Sequence, residues 1–304
     1  MSNSEITQAF RDVDFPKLER SLRHPRTLLS FILSIGTGIV SVIACIPLFS
    51  VIGMLLWNGG KQLTWRLFVE TPPSAFETTS GGFGNAIVGT LVIVAIASAI
   101  SIPFGILTGT YLAEFGPNTS TASAIRFCAK TLTGLPSILA GVFIYAAVVI
   151  ATKGASAPAA GLALALLMLP TLILTSEEAM KMVPQRMKEA AIGMGCTQTQ
   201  VVWKILIPTA MPGILTGVML AVARAVGETA PLLYTSKFSD YWLMENYRVN
   251  LMQPTASLAV FIYNFSGSPY PHQVEMAWAA SLVLVAIVLG INIFGQIFSR
   301  REIR

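Results

Sequence analysis

Residues 189–208 read EAAIGMGCTQTQVVWKILIP and form a polar island with a hydrophobic segment on either side. The island opens with Glu-Ala-Ala at residues 189–191, and these residue types favour a helix. A helix that begins there meets Gly193 and Gly195, which weaken it and suit a turn with positive φ. The first half of the island is therefore predicted to be a short helix that ends in a glycine turn.

The second half of the island returns to a helical pattern. Apolar residues recur at helical spacing over residues 201–207. Pro208 follows at a position where a membrane helix can begin. The whole stretch is predicted to be a helix, a turn and a helix at a membrane surface, a segment suited to being bound by a partner outside the membrane.

The composition identifies an integral membrane protein. The chain of 304 residues is 54% hydrophobic and only 12% charged, with a mean hydropathy of +0.67, whereas soluble domains carry about 25% charged residues. The net charge of +5 is explained by basic cytoplasmic loops, so nucleic acid is not an expected partner. The three cysteines are scattered, and neither a disulfide framework nor a metal site is expected.

Hydrophobic segments divide the chain into three regions. We predict a cytoplasmic N-terminal segment at 1–26, a transmembrane domain at 27–298 and a cytoplasmic tail at 299–304. The domain contains six spans, at 27–57, 86–112, 131–151, 159–175, 210–233 and 277–298. The apolar piece 256–265 is too short to cross. Residues 114–130 are predicted to be a short loop, Glu177 and Glu178 solvated loop residues, and Met194 a packing residue.

The distribution of basic residues predicts the orientation. Fourteen of the 20 Lys and Arg residues fall in the N-terminal segment, 114–130, the island with its flanks, and the tail. Five fall in the alternate loops, and the last, Arg224, lies within a span. Because cytoplasmic loops carry the excess of Lys and Arg, both termini and the island are predicted to be cytoplasmic. An even number of crossings, such as six, fits this arrangement.

No catalytic apparatus is evident in the sequence. The glycines of residues 84–90 have the spacing of a phosphate-binding loop but lack its lysine, and no Walker A motif occurs. Neither a nucleophile–base pair nor a metal-ligand spacing can be argued. If this protein uses ATP, another subunit is therefore expected to bind it.

Arg224 and Glu228 are charged residues inside the fifth predicted span. Four residues apart, they share one face of a helix. Charges within a membrane usually pair or line a cavity, and both interpretations stay open: an ion pair that tethers helices, or a pathway in which Arg224 meets an anion and Glu228 moderates it. Pro231 can kink or end the helix nearby, which favours a cavity.

The spacing within the island is specific. Its fixed positions are Glu189, Ala190, Ala191, Gly195, Ile205, Ile207 and Pro208. This pattern resembles the EAA loop of binding-protein-dependent ABC transporter permeases, with Ile207 in place of the family's leucine. The resemblance implies an all-α membrane protein of the MetI-like, type I ABC importer architecture, with six transmembrane helices. It also implies that Glu189, Ala190, Ala191, Gly195 and Pro208 belong to a coupling helix region that docks in a groove of a cytoplasmic ATPase.

Further motifs are similar to phosphate permeases of this family. They are Pro72-Pro73, Gly81-Gly82, and residues 86–90 (AIVGT), 110–114 (TYLAE), 135–138 (LPSI) and 223–232 (ARAVGETAPL). By this resemblance, Arg224 and Glu228 match charged positions implicated in phosphate passage. One departure is Leu174, where these permeases often carry an arginine, so Arg224 is the only basic residue within the predicted spans.

The resemblance also implies a complex in the bacterial cytoplasmic membrane. Its members are a PstC-like second permease subunit, two PstB-like ATPase subunits that bind ATP and Mg²⁺, and a periplasmic PstS-like phosphate-binding protein. The expected function is an ATP-driven importer permease for inorganic phosphate, with no cofactor in this chain. The nearest alternative is an importer of another oxyanion, such as sulfate or molybdate. A secondary transporter or channel acting alone is a further alternative, but it would need no docking segment.

Overall fold

The computed structural model describes residues 25–73, 81–245 and 248–301, and these residues are almost entirely helical. The chain divides into two compact units, Met1–Met54 and Leu55–Arg304. Most of the predicted N-terminal segment 1–26 and half of the predicted tail 299–304 lie outside the described residues.

The first unit contributes one long helix, α1 (Pro25–Met54), with Pro47 in its interior. Its apolar side chains are exposed along almost its whole length, and its length and composition suit a membrane span. The hydroxyls of Ser34, Thr37 and Ser41 donate to carbonyls four residues earlier at 2.8 Å, so their polar atoms have partners within the helix. This helix corresponds to the first predicted span.

The second unit contains the remaining helices. In chain order they are α2 (Gly84–Thr110), α3 (Ser120–Thr133), α4 (Ser137–Ile144), α5 (Ala157–Lys181), α6 (Gln185–Gly193), α7 (Gln198–Val201), α8 (Ile207–Gly227), α9 (Ala230–Thr235), α10 (Leu258–Ser266) and α11 (Pro271–Arg301). Short helical turns cover Gly60–Gln62, Arg66–Val69 and Ile150–Thr152, and π-turns cover Leu55–Gly59, Tyr111–Phe115, Tyr145–Val149 and Val202–Leu206. Strands β1 (Met244–Glu245) and β2 (Arg248–Val249) form a small antiparallel hairpin.

Helix α5 lies at the centre of this unit and packs closely against α2. A Cβ atom at Gly105 would lie 2.5 Å from Leu172 Cβ, and one at Gly109 would lie 2.7 Å from Ser176 Cβ. Since real Cβ atoms do not approach this closely, only glycine permits the observed distance between the helices. The residue numbers of the two contacts increase together along both helices, so α2 and α5 are parallel.

Helix α8 packs against α5 through a second pair of glycines. A Cβ at Gly213 would lie 2.8 Å from Ala179 Cβ, and one at Gly217 would lie 2.2 Å from Thr175 Oγ1. The residue numbers of these contacts increase along α8 but decrease along α5, so the two helices are antiparallel. Both small-xxx-small motifs therefore bind α5, from α2 and from α8.

The parallel arrangement of α2 and α5 fixes the path between them. Two parallel membrane helices begin on the same side, so the connecting residues must cross back once. The connection consists of α3 and the helical run Ser137–Thr152, which meet at a 106° bend. Among the described residues, five helices have the length and composition of a membrane span, and there are six if the bent pair is counted as one span. The five are Leu28–Gln62, Gly84–Phe115, Ala157–Lys181, Gln198–Gly227 and Pro271–Ile297.

Three predicted boundaries are wrong. Residues 114–130, predicted to be a loop, contain most of the amphipathic helix α3, which starts where the Thr119 side chain accepts a hydrogen bond from the Ala122 amide at 3.2 Å. The third span was predicted to begin at 131, but helix α4 begins at Ser137 because Pro136 precedes it and disfavours a continuous helix. The fourth span was predicted to end at 175, whereas α5 continues to Lys181.

The loop after α9 returns to the helical core. It contains the hairpin and α10, the short apolar piece that was predicted not to cross and whose Leu258 and Phe261 are buried. Asn85 Nδ2 donates to Ser239 O at 2.9 Å, and Thr90 Oγ1 accepts from the Leu258 amide at 2.8 Å. The start of α2 is thus bonded to both ends of this loop.

Candidate functional site

The island folds as predicted into two short helices joined by a turn. Helix α6 ends at Gly193, and Gly195 has a φ of 86°, in the left-handed region that favours glycine. Helix α7 begins at a capping box in which Thr197 and Gln200 satisfy each other's backbone amides. Of the two glycines, only Gly195 has the predicted positive φ. Gly193 is the last residue of α6 and does not have a positive φ.

The second short helix is continuous with a membrane helix. The π-turn Val202–Leu206 joins α7 to α8, and Pro208 is the second residue of α8. At the other end, only residues 182–184 separate α5 from α6. We call residues 185–206 the coupling segment. It follows the end of α5 after three residues and leads directly into the start of α8.

The five residues that the resemblance assigns to ATPase docking differ in exposure. Glu189, Ala190, Gly195 and Pro208 are exposed, whereas Ala191 is buried against Val201 and Leu206, which closes α6 onto the following helix. Ala191 is therefore a packing residue, and the exposed positions are free to contact a partner.

Met194 is exposed, although the sequence suggested a packing role. Its side chain is 77% exposed, and Met182 and Ile192 are exposed as well. An unpacked methionine at a turn is typical of adaptable binding surfaces. Within the coupling segment, the exposed Ile192 and Met194 beside the exposed Glu189 give a surface that is partly apolar and partly charged.

The coupling segment also contacts α2, which the sequence did not predict. Lys188 of α6 forms an ion pair with Glu114, and the two side chains are only 14% and 12% exposed. Gln198 of α7 donates from Nε2 to the Glu114 carbonyl at 2.8 Å. The Tyr-Leu-Ala-Glu sequence drew attention to Glu114, but nothing in the sequence indicated its partners, which lie far along the chain.

Glu177 is buried, which corrects its interpretation as a solvated loop residue. It is 4% exposed and accepts a hydrogen bond from Arg126 Nε at 2.7 Å, and Lys181 also pairs with it. Glu178 is exposed, as predicted, but it belongs to helix α5 rather than to a loop. Because α5 continues past the predicted end of its span, Glu177 lies on the last turns of a membrane helix, beside two cations.

Arg224 and Glu228 lie at the other end of α8. This helix ends at Gly227, so Glu228 is not helical but extended, and its Oε1 accepts a hydrogen bond from Arg224 Nε at 3.2 Å. Arg224 is 51% exposed and Glu228 is 15% exposed. Within the described residues this is the only ion pair of either side chain. Within these residues the pair joins the last turn of α8 to the residue that follows it, and Glu228 contacts only the Nε atom of the guanidinium.

The non-helical residues between α8 and α9 lie next to α4. Pro231 occupies the first turn of α9, and a Cβ at Gly141 would lie 2.5 Å from Pro231 Cα. The Tyr145 and Tyr234 rings meet edge to face at 6.3 Å in the same region. The predicted effect of Pro231, a helix that ends here, is confirmed. With Pro208 and Arg224 separated by 16 residues of α8, the two predicted sites are about 24 Å apart along its axis.

Comparison with known proteins defines the class. The family described as binding-protein-dependent transport system inner membrane component matches residues 101–304. The chain belongs to this family of ABC transporter permease subunits, and it is accordingly a transport subunit with several membrane-spanning helices. The match includes the coupling segment and α8 with Arg224.

The similar proteins within the family belong to one narrower group, the phosphate transport permeases. The chain is 38% identical over 277 residues to the phosphate transport system permease protein PstA of Haemophilus influenzae, covering 89% of this chain and 94% of the relative. PstA of Pasteurella multocida is 38% identical over 244 residues, covering 80% and 85%. The probable PstA of Methanocaldococcus jannaschii is 36% identical over 254 residues, covering 84% and 88%.

Solved structures agree on the fold. An inward-facing MetNI methionine ABC transporter chain matches with a TM-score of 0.56 at 22% identity, over 72% of this chain and 94% of that chain. A chain of a bacterial alginate ABC transporter, in complex with an alginate-bound periplasmic protein, matches with a TM-score of 0.61 at 16% identity, over 91% and 95%. The predicted MetI-like, type I importer architecture is thereby confirmed.

Proposed function

We propose that this chain is the permease subunit of an ATP-driven importer that moves inorganic phosphate across the bacterial cytoplasmic membrane. The observation that carries the proposal is the coupling segment in a chain whose relatives are phosphate permeases. This segment is an exposed pair of short helices that turns at Gly195, is joined to α5 by three residues and is continuous with α8. A transporter acting alone has no need of such a segment.

The substrate is proposed from two supports. The relatives carry phosphate transport in their names. Arg224 presents a half-exposed guanidinium near the end of a membrane helix, and Glu228 engages only its Nε atom. A planar fork of donors suits an oxyanion. A guanidinium that is partly neutralised binds an anion without trapping it, which transport requires.

The partners follow from the same proposal. The coupling segment docks on one of two PstB-like ATPase subunits, which bind ATP and Mg²⁺, so this chain itself needs no cofactor. A PstC-like permease subunit completes the pathway, and a periplasmic PstS-like protein delivers phosphate. The termini and the coupling segment lie in the cytoplasm, as the excess of Lys and Arg in these parts of the chain supports.

The geometry suggests how ATP drives transport. Closure of the ATPases moves α6 and the turn at Gly195. Because α7, the π-turn and α8 form one helical run, Gln198–Gly227, that motion passes along α8 to Arg224, about 24 Å from Pro208. The break after Gly227 lets the region of Glu228 and Pro231 rearrange while the packed α5–α8 pair stays intact.

The proposal is tested by reconstituting the chain with its native partners in liposomes. ATP-dependent uptake of labelled phosphate, inhibited by excess cold phosphate but not by sulfate or molybdate, is the expected result. Stronger inhibition by sulfate or molybdate identifies another oxyanion as the substrate. Uptake that persists without the ATPase subunits contradicts the importer and favours a transporter acting alone.

A further inference from the structure

Glu114 joins the coupling segment to a third membrane helix. It stands in the π-turn Tyr111–Phe115, which extends α2, and its carboxylate pairs with Lys188 of α6. Its backbone carbonyl accepts from Gln198 of α7 at 2.8 Å. Glu114 therefore holds both short helices of the coupling segment, one on each side of the turn at Gly195. This contact is separate from the covalent connections to α5 and α8.

The ion pair is shielded from water. Its side chains are 12% and 14% exposed, unlike the half-exposed Arg224. Exposed ion pairs contribute little because water screens them, but removing one partner of a shielded pair leaves an unpaired charge. The attachment is thus firm enough to transmit motion.

The opposite end of α2 holds the loop after α9. The helical run Gly84–Phe115 is unbroken, and its 32 residues span about 48 Å. Near its start, Asn85 donates to Ser239 O at 2.9 Å, and Thr90 Oγ1 accepts from the Leu258 amide at 2.8 Å. A Cβ at Gly89 would lie 1.9 Å from Ala256 O, so the loop backbone lies directly on the helix. A displacement of α2 must displace this loop.

We propose that the Glu114–Lys188 pair is a latch that makes α2 carry the motion of the coupling segment to Ser239, Ala256 and Leu258, on the far side of the membrane. This inference rests on the proposed function, because it assumes that an ATPase moves the coupling segment. In this proposal Glu114 and Lys188 are positioning residues, because they act through the helices that they join. The latch couples ATP hydrolysis to opening at the periplasmic end through α2. This route is additional to the one that runs along α8 to Arg224.

The test compares phosphate moved per ATP hydrolysed in liposomes that contain the full complex. The variants are E114Q, K188Q and the charge swap E114K/K188E, and K130Q is the matched control, since Lys130 is exposed on α3 and has no ion pair in the described part of the chain. Glutamine keeps the shape of residue 114 and leaves the carbonyl bond from Gln198 in place, so E114Q retains the fold. Copurification of the ATPase measures docking in every variant.

Coupling between sites typically amounts to about 5–150-fold, so we expect E114Q and K188Q to move at least about fivefold less phosphate per ATP. The ATPase should still copurify, the swap should restore the ratio, and K130Q should match the wild type. An unchanged ratio in both single variants, or a swap that fails to restore it, overturns the latch. Loss of ATPase copurification in K188Q also overturns it, because Lys188 then acts in docking.

These outcomes are distinct from a failure of the proposed function. If the wild-type complex hydrolyses ATP but imports another oxyanion, the phosphate assignment fails. The same ratio measured with the imported oxyanion then still decides whether the latch exists.

Discussion

Arg126 donates a hydrogen bond from Nε to Oε1 of Glu177 at 2.7 Å, which joins α3 to the end of α5. The other guanidinium nitrogens donate to the carbonyls of Pro117 and Leu112, each at 2.8 Å. One arginine therefore binds the connection after α2, the end of α2 and the buried carboxylate of α5. This arrangement fixes α3 beside the ends of the two parallel helices.

Removing this guanidinium should destabilise the fold. In Arg126→Gln, the buried Glu177 keeps only Lys181 as a cation, and two backbone carbonyls lose their donor. Leaving such groups unsatisfied costs about 1–3 kcal/mol, which a lower midpoint of thermal unfolding in detergent would report. Lys130→Gln on the same helix is the control, and an equal effect of both changes would contradict the role of Arg126.

The turn at Gly195 should tolerate no other residue without a cost. With φ at 86°, an alanine there costs about 1–2 kcal/mol, and Gly195→Asp adds a charge to the exposed turn. We expect the ATPase to copurify weakly with Gly195→Asp and uptake to fall with it. Gly193→Ala is the matched control, because that position is helical with open space around it. Wild-type association of Gly195→Asp would exclude docking at this turn.

Arg224 should be needed for phosphate uptake but not for folding. A hydrogen bond to a charged group contributes about 1.5–3 kcal/mol, and about 1.4 kcal/mol corresponds to tenfold. Arg224→Gln should therefore reduce uptake by about tenfold or more. Arg224→Lys, which keeps the charge but loses the planar fork, should retain part of it. Quantitative immunoblotting checks the amount in the membrane, and normal uptake by Arg224→Gln would leave Arg224 with only its pairing to Glu228.

Gly109 should be intolerant of any side chain. A Cβ there would lie 2.7 Å from Ser176 Cβ and 2.9 Å from Ile173 O, and the backbone carbonyl cannot rotate away as a side chain does. Gly109→Ala should separate α2 from α5 at a cost of about 1–3 kcal/mol. Gly290→Ala on α11 serves as the control, since nothing lies within 4 Å of that position. Equal melting temperatures for the two variants would refute the close packing of α2 on α5.

Local patterns predicted the elements well and their ends less well. The island gave the right helix, turn and helix because helix formers, Gly195 and Pro208 act within a few residues. The loop predicted at 114–130 and the end predicted for the fourth span at 175 were wrong because polar residues were assumed to face water. In the structure, Arg126 and Glu177 satisfy each other, and the helices that carry them continue beyond the apolar stretch.

The sequence by itself determined the class of protein, the coupling segment and the charged residues near the end of α8, because hydrophobic length, helix propensity and glycine conformation are local properties. Only the tertiary structure decided which charges meet. Arg126 and Glu177 are 51 residues apart, and Glu114 and Lys188 are 74 apart. Their pairing depends on α2 and α5 running parallel at a distance set by Gly105 and Gly109. No single segment contains that information, because it arises from how the helices pack.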